Sequence, residues 1–120
     1  MGNTEKNKRA IGTEQEDLAA QYLTKAGYKI LCRNFYSPFG ELDLIAQEGE
    51  TLVFCEVKYR TDTRMGYPVE AVSAVKLRRM RKTAEYFCRK QAILEDCAKR
   101  FDVVSILGEE IRLYRNVTGC

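Results

Sequence analysis

Residues 40–60 read GELDLIAQEGETLVFCEVKYR, two hydrophobic segments that also carry Asp43, Glu56 and Lys58. Apolar residues recur at every second position in both segments, which is the period of a β-strand with one face against a core. The dipeptide Gly49-Glu50 between them suits a two-residue hairpin turn with glycine in the first position. We therefore predict an antiparallel hairpin that carries ionisable side chains on both strands.

The register of this hairpin follows from its turn. If Glu48 pairs with Thr51, counting back five residues on each strand places Asp43 directly opposite Glu56. Directly opposed residues have Cβ atoms about 4.5–5.5 Å apart, so these two like charges repel unless a positive group lies between them. Lys58 could supply that positive charge, and so could a divalent cation.

Alternation also assigns a face to each residue. In the first strand it puts Leu42, Leu44 and Ala46 on one face and Glu41, Asp43, Ile45 and Gln47 on the other. In the second strand it puts Val53, Cys55, Val57 and Tyr59 on one face and Phe54, Glu56 and Lys58 on the other. The alternation thus gathers the charges of the two strands on one face of the sheet.

The remaining elements can be read from periodicity and turn residues. Apolar side chains recur at helical spacing within 13–27, which ends at Gly27, a typical helix C-cap. A second helix is predicted to start at Pro68, with an apolar stripe of Leu77, Met80, Ala84, Phe87 and Cys88 and with Arg78, Arg79, Lys82 and Arg89 mostly opposite. Further strands are predicted at 28–34, 101–107 and 111–114. The order αβββαββ predicts one α/β domain over residues 1–120, a mixed sheet covered by helices, with the first ten residues flexible.

Composition excludes several kinds of chemistry. The 120 residues include no histidine, so Ser-His-Asp hydrolysis and histidine-metal sites are impossible. The five cysteines form no CxxC pair and read as apolar filling, except for Cys120 at the end. No segment has the length and hydropathy of a membrane span or a signal peptide, so we expect no membrane association and a cytoplasmic protein.

Basic residues concentrate after the hairpin. The net charge is only +3, but residues 76–90 hold seven Lys or Arg and one acid. A basic solvated helix face is ordinary, and contact with phosphates is the functional alternative. The candidate nucleic-acid contacts are Arg60, Arg64, Lys76 and Arg79.

Hydrolysis of a phosphodiester by a divalent metal needs hard oxygen ligands on a rigid frame and a cation near the attacking water. Asp43, Glu56 and the backbone carbonyl of Val57 could supply the oxygens, and Lys58 the cation. The motif Glu-x-Lys is common by chance, and a cross-strand salt bridge on a solvated face is its simplest alternative.

Longer matches extend this interpretation to nearly the whole chain. They are Glu16 with Ala19 and Tyr22-Leu23, then GYKILCRN, GELDLIA, LVFCEVKYR, GYPVEAV with Lys76 and Arg79, and RFDVVSI, from Gly12 to Ile106. In these stretches the chain resembles the bacterial YraN-like family of predicted endonucleases, in the PD-(D/E)XK nuclease superfamily near the archaeal Holliday-junction resolvases.

The resemblance implies a restriction-endonuclease-like sandwich with a metal site. In it Asp43 and Glu56 hold Mg²⁺ or Mn²⁺, Lys58 assists the attacking water, and Glu16 approaches from the first helix. A competing explanation for Glu16 is a capping box with Thr13 at the start of that helix.

We therefore expect a metal-dependent endonuclease acting on DNA, including branched or otherwise structured DNA. The alternatives are a non-catalytic nucleic-acid-binding protein that keeps the nuclease fold, and a protein-interaction module whose carboxylates are structural. A homodimer with two sites facing two strands is compatible with the sequence, which carries no independent interface signature.

Overall fold

In the described part of the chain, five strands form one sheet in which their spatial order is their order in the sequence. The computed structural model describes residues 3–117, with side chains described for 12–117. Its strands are Lys29–Ser37 (β1), Gly40–Glu48 (β2), Thr51–Arg60 (β3), Lys99–Leu107 (β4) and Glu110–Tyr114 (β5). The helices are Asn3–Lys25 (α1) and Ala74–Lys90 (α2), with a short 3-10 helix at Pro68–Ala71. The predicted αβββαββ order is confirmed.

Only β3 and β4 run parallel, and the other three pairs of neighbouring strands are antiparallel. A parallel pair cannot be joined by a tight turn, and the chain between β3 and β4 contains the 3-10 helix and α2. The sheet is therefore mixed, as the sequence predicted.

Helix α1 begins at Asn3, ten residues before the predicted start at Thr13. Thr13 lies inside the helix, so the proposed capping box with Glu16 is wrong: a capping side chain must lie at the helix start. The C-terminal prediction is confirmed, because Gly27 has a φ of +96° and the N–H of Tyr28 donates to the carbonyl of Leu23 at 2.9 Å. Flexibility of residues 1–10 stays a prediction, and residues 1 and 2 lie outside the described part.

The second helix starts later than the sequence suggested. Pro68 begins the separate 3-10 helix, and Val72 after it is extended. Helix α2 then has its own N-cap, Ser73, whose side chain accepts a hydrogen bond from the N–H of Lys76 at 3.2 Å. The predicted apolar stripe is confirmed: Met80, Ala84, Phe87 and Cys88 are buried and Leu77 is half-buried.

The two helices cover opposite faces of the sheet. We call the cluster of buried residues beside α1 the α1 core; it joins Ala19 and Leu23 to Leu44, Ala46, Val53, Cys55, Val104 and Ile106. The α2 core joins Met80, Ala84 and Phe87 to Leu42, Ile45 and Phe54. Full burial of one such side chain stabilises the fold by about 1.5–3 kcal/mol, so a strand slipped by one residue would lose many times that amount.

One assignment of faces was wrong. Leu42 was predicted to share a face with Leu44, but Leu42 lies in the α2 core and Leu44 in the α1 core. The alternation of faces along β2 changes at Asp43. The ladder pairs between β1 and β2 on either side of Asp43 leave Asn34 of β1 opposite it. Asn34 has a φ of +53°, a left-handed conformation that breaks regular alternation in β1 at the same level.

Two further expectations concern composition. Of the cysteines, Cys55 and Cys88 are buried while Cys32 and Cys97 are half-buried, all four free; Cys120 lies outside the described residues. Within residues 3–117, neither helix has the length and hydropathy needed to cross a membrane.

Candidate metal centre

The candidate site lies where β2 and β3 separate. Their paired register runs from Glu48–Thr51 to Leu44–Cys55, as the turn predicted, and ends one residue short of Asp43 and Glu56. Asp43 therefore does not form a ladder pair with Glu56. Its carboxylate Oδ2 instead accepts the backbone N–H of Val57 at 2.8 Å, which holds the aspartate against β3.

Val57 contributes more than this donor. In an extended strand the N–H and C=O of one residue point to the same edge, so the carbonyl of Val57 also faces the gap beside Asp43. A backbone oxygen thus accompanies the carboxylate at the point where the ladder has ended.

The carboxyl group of Asp43 is held in an unfavourable environment for its charge. Burial, followed by the neighbouring charge of Glu56, raises its pKa from 3.8 to about 7, although the Val57 N–H opposes the rise. Glu16 and Glu41 add smaller repulsions in the same direction. A group that is costly to ionise in isolation is well suited to binding a cation.

Glu56 is the second acid of the site and is buried, with only 3% of its surface exposed. Its Oε1 lies 3.4 Å from the ammonium of Lys58 and 3.4 Å from that of Lys76. Its Oε2 is buried without a hydrogen-bond partner. An unpaired buried carboxylate oxygen costs free energy, so this atom marks a place where a ligand would be favourable.

A cavity of about 270 Å³ connects these groups to α1. Its lining residues are Gly12, Gln15, Glu16, Asp43, Glu56, Val57 and Tyr59. Four of these residues, Glu16, Asp43, Glu56 and Val57, are predicted site residues, and Glu56 also reaches Lys76 on the α2 side. The charges therefore meet at the end of the β2–β3 ladder rather than on a single flat face.

Sequence reasoning missed Gln15. Its Oε1 is a second buried oxygen without a partner, and the residue lines the same cavity. Gln15 lies four and eight residues before Ala19 and Leu23, both fully buried, so it continues the apolar stripe of α1. A polar residue on such a stripe was the signal that could have identified it.

Glu16 is half-buried at the cavity edge. Its Oε2 lies 3.9 Å from Arg33 of β1, which forms a closer ion pair with Asp17 at 2.7 Å. Arg33 therefore neutralises Glu16 only weakly, and the charge of Glu16 still acts on Asp43.

The donors of the site are all oxygens, the type that Mg²⁺ and Mn²⁺ prefer. Among the described residues, no three His, Cys, Asp or Glu side chains are gathered closely enough to form a ready metal cage. Mg²⁺ is nevertheless commonly held by one or two carboxylates and keeps several waters. Asp43 and Glu56, with the orphaned Glu56 Oε2, fit a cation of that kind.

The predicted nucleic-acid contacts occupy different surroundings. Arg64 is exposed and pairs with Asp62 at 2.7 Å in the loop after β3, while Arg60 donates to the carbonyl of Tyr59 at 3.1 Å. Arg79 lies on the exposed face of α2. Lys76 instead turns into the site beside Glu56. Contact of these four residues with nucleic acid stays a prediction.

Fold and site together define an α/β domain with a mixed five-stranded sheet, two covering helices and a pair of carboxylates where the β2–β3 ladder ends. Residues 15–106 match the model of the uncharacterised protein family UPF0102, and the chain belongs to that family. The YraN-like family assignment made from the sequence is thereby confirmed, and affiliation to a nuclease superfamily stays a prediction.

Individual relatives cover almost the same length. A UPF0102 protein of Lachnoclostridium phytofermentans is 46% identical over 110 residues, 92% of this chain and 93% of that protein. One of Caldicellulosiruptor saccharolyticus is 47% identical over 100 residues, 83% of this chain and 84% of that protein. The Vibrio parahaemolyticus protein VP0448 is 41% identical over 112 residues, 92% of this chain and 93% of that protein.

Proposed function

We propose that this protein is a divalent-metal-dependent nuclease that hydrolyses phosphodiester bonds of DNA, with the site at Asp43 and Glu56. The observation that carries the proposal is the buried, partnerless Glu56 Oε2 beside an aspartate whose pKa is raised to about 7. A site built only for stability would pair these oxygens.

Asp43, Glu56 and the Val57 carbonyl would hold Mg²⁺ or Mn²⁺, which when bound supplies a Lewis acid for the phosphate and an activated water. Asp43 must lose its proton before both of its oxygens can serve as ligands. Since the pKa of Asp43 is about 7 in the metal-free protein, protons compete with the cation at acidic pH. Cation affinity therefore rises with pH through this range.

Two lysines provide the positive charge of the site. Lys58 and Lys76 both lie 3.4 Å from Glu56 Oε1 and are partly exposed, so each ammonium can reach a phosphate at the cavity mouth. In the proposed reaction Lys58 orients the attacking water and assists removal of its proton. Lys76 stabilises the negative charge that develops on the phosphate. Glu16 faces the same cavity from α1 and orients water there.

The proposal also includes the more detailed predictions made from the sequence. They are the restriction-endonuclease-like sandwich of the PD-(D/E)XK superfamily, preference for branched or structured DNA, phosphate contacts from Arg60, Arg64 and Arg79, a cytoplasmic location and a homodimer. The mixed sheet with one helix on each face supports the first. The basic loop and the exposed face of α2 beside the site support the phosphate contacts.

Cleavage assays test the proposal. Purified protein is incubated with Mg²⁺ or Mn²⁺ and with linear, single-stranded, flap and four-way DNA, with EDTA as the metal-free control. We expect cleavage of at least one substrate and a loss of about 100-fold or more in Asp43→Asn, whose amide keeps the size of the carboxylate. Glu50→Gln, which changes an exposed carboxylate in the β2–β3 turn at the far end of the hairpin, is the matched control. Absence of cleavage, or equal cleavage by Asp43→Asn, contradicts the proposal.

A second candidate is a nucleic-acid-binding protein of the same fold without turnover. Its support is that Lys58 and Lys76 already neutralise one oxygen of Glu56, and that no three-ligand group exists among the described residues. It predicts salt-dependent DNA binding that is unchanged in Asp43→Asn, with no metal-dependent cleavage.

A further inference from the structure

An exposed surface of aromatic and basic side chains begins about one helical turn beyond the candidate metal centre. We call it the α2 aromatic–basic surface and define it as Phe39, Arg79, Lys82, Tyr86 and Lys90. Phe39 lies in the turn between β1 and β2, and the other four lie on α2. Arg79 is already a candidate phosphate contact, and the other four residues take no part in the site described above.

The turn that carries Phe39 is held firmly on α2. Ser37 Oγ lies 3.1 Å from Thr83 Oγ1, and it also accepts the N–H of Phe39 at 3.1 Å. Gly40 lies next to the helix, since an added Cβ would be in ordinary van der Waals contact, 3.8 Å from the Cβ of Arg79. Phe39 is therefore positioned by fixed contacts, although 43% of its surface is exposed.

The rings of the surface continue an aromatic cluster that reaches the core. Phe39 meets Tyr86 at 6.5 Å between ring centroids, with the planes at 74°. Tyr86 meets Phe35 at 6.1 Å, and Phe35 meets the buried Phe87 edge-on at 5.2 Å. A rigid aromatic ring that stays exposed is expensive in water and is typical of a binding surface.

Phe39, which is exposed, and Tyr86, which is half-buried, each have a lysine over the ring. The ammonium of Lys82 lies 5.8 Å from the centroid of Phe39, and that of Lys90 lies 5.2 Å from the centroid of Tyr86. A cation–π contact at an exposed site changes an equilibrium constant by about two- to fivefold, whereas stacking of one nucleic-acid base changes a binding constant by about 5- to 150-fold. A base can therefore displace the lysine from its ring, which frees the ammonium for the adjoining phosphate.

We infer that the α2 aromatic–basic surface binds unpaired nucleotides of a nucleic-acid strand, with bases stacked on Phe39 and Tyr86 and phosphates contacted by Arg79, Lys82 and Lys90. Bases in a duplex are already stacked and do not present their faces, so this chemistry selects single-stranded segments. As a specification of the substrate, the inference rests on the proposed function: the strand to be cut is unpaired near the cut.

The spacing along α2 gives the position of these nucleotides. Lys76 reaches the site, and Tyr86 lies ten residues further, which is roughly 15 Å along a helix axis at about 1.5 Å per residue. At about 3.4 Å per nucleotide of one strand this is roughly four steps, and fewer in a stretched strand. Unpaired bases are therefore expected within about four nucleotides of the cleaved phosphate.

Binding is measured without cleavage, so that the inference and the nuclease proposal can fail separately. Fluorescence anisotropy in EDTA compares a labelled single strand of about 15 nucleotides with a blunt duplex of the same length. We expect tighter binding to the single strand, a loss of about fivefold or more in Phe39→Leu, and recovery in Phe39→Trp, which restores an aromatic face. Binding to the duplex is expected to be equal in all three proteins.

Two controls separate stacking from folding and charge. Thermal melts of Phe39→Leu and Phe39→Trp verify that both variants fold, and Lys82→Gln is expected to lower affinity and reduce the salt dependence of binding. Leu94→Ala changes an exposed apolar side chain in the α2–β4 loop and is expected to bind as the parent does.

Three results would overturn the inference: equal affinity for single strand and duplex, unchanged single-strand binding by Phe39→Leu, or no nucleic-acid binding at all. Self-association that is lost in Phe39→Leu, measured by analytical ultracentrifugation without any nucleic-acid binding, would instead assign the surface to contact between copies. If single strands bind through Phe39 but no DNA is ever cut, the nuclease proposal fails and the binding surface remains.

Discussion

Two aspartates of the same sheet, one buried and one half-buried, have opposite surroundings. Asp102 of β4 is fully buried and accepts hydrogen bonds from Arg100 at 2.9 and 3.1 Å, from the Tyr28 hydroxyl at 3.2 Å and from the Asn116 N–H at 2.9 Å. Asp43 of β2 accepts one N–H and otherwise faces like charges. The comparison separates a carboxylate that stabilises the fold from one whose ionisation the fold opposes.

The network around Asp102 also ties distant segments together. Arg100 donates to Glu48 at 3.0 Å, and Arg115 forms a further ion pair with Glu48. The residue before β1, the end of β2 and the chain after β5 thus meet around the ion pair of Arg100 and Asp102. The site at Asp43 has no comparable set of donors among the described residues, and its orphaned oxygens face a cavity.

The largest expected effect is the loss of the satisfied carboxylate. Asp102→Ala leaves Arg100 largely buried without its main partner and removes the acceptor of Tyr28 and Asn116. Breaking a buried ion pair from one side costs about 3–5 kcal/mol, which we expect as the fall in unfolding free energy measured with urea. Glu50→Ala, which removes an exposed carboxylate in the β2–β3 turn, is expected to leave the curve unchanged. Similar urea unfolding curves for the two variants would mean that Asp102 stabilises the fold no more than an exposed carboxylate does.

The opposite sign is expected at Asp43. Asp43→Asn keeps an oxygen acceptor for the Val57 N–H but removes the charge that burial and Glu56 disfavour. A rise in pKa from 3.8 to about 7 corresponds to about 4 kcal/mol at 1.36 kcal/mol per unit. Part of this cost is repulsion that Asp43 shares with Glu56, so we expect Asp43→Asn to recover about half of it. Asp43→Asn is therefore expected to be more stable than the wild-type protein by about 2 kcal/mol at pH 8, measured by urea unfolding. Destabilisation would mean that the charge of Asp43 is already compensated.

The pH dependence of stability sharpens the same contrast. A carboxyl group whose pKa is raised in the folded state binds more protons in the folded than in the unfolded protein. Its contribution to the free energy of unfolding is therefore complete below about pH 4 and is lost as the pH rises through about 7. The chain has no histidine to add a transition in this range. We expect the wild-type protein to lose about 2 kcal/mol more than Asp43→Asn between pH 5 and pH 8. Parallel pH profiles would contradict the raised pKa.

These features were accessible from the sequence to different degrees. The hairpin register was fully determined by its turn, because Gly49-Glu50 leaves Glu48 and Thr51 as the closing pair. The position of the Asp43 side chain could not be determined from the turn. It depends on the left-handed conformation of Asn34 on the neighbouring strand and on where the β2–β3 ladder ends. Lys76 entered the site for a similar reason: its position depends on how α2 packs on the sheet.

The start of α1 was missed because residues 3–12 carry few apolar side chains, so periodicity gave no signal there. Gln15 was missed because its importance depends on the rotation of that helix against the sheet. The types of side chain in the site could be predicted from the sequence. The hydrogen-bond or ion-pair partner of each oxygen could be identified only from the three-dimensional structure.

The smallest expected effect concerns Gln15. Gln15→Leu replaces a buried oxygen without a partner by an apolar group of similar size, so we expect stability to be unchanged or to rise by up to about 1 kcal/mol. Calorimetry is expected to give a cation affinity about tenfold weaker if the amide orients the site. Clear destabilisation would show that Gln15 is satisfied within the protein.

We propose that the carboxylate of Asp43 and the unpaired Oε2 of Glu56 are gathered for a divalent cation. Isothermal titration calorimetry with Mn²⁺ at pH 8 tests this proposal, comparing the wild-type protein with Asp43→Asn and with Glu50→Gln, an exposed control in the β2–β3 turn. We expect one binding event in the wild-type protein and in Glu50→Gln, weaker at pH 6, and none in Asp43→Asn. Absence of binding to the wild-type protein, or equal binding by Asp43→Asn, would contradict it.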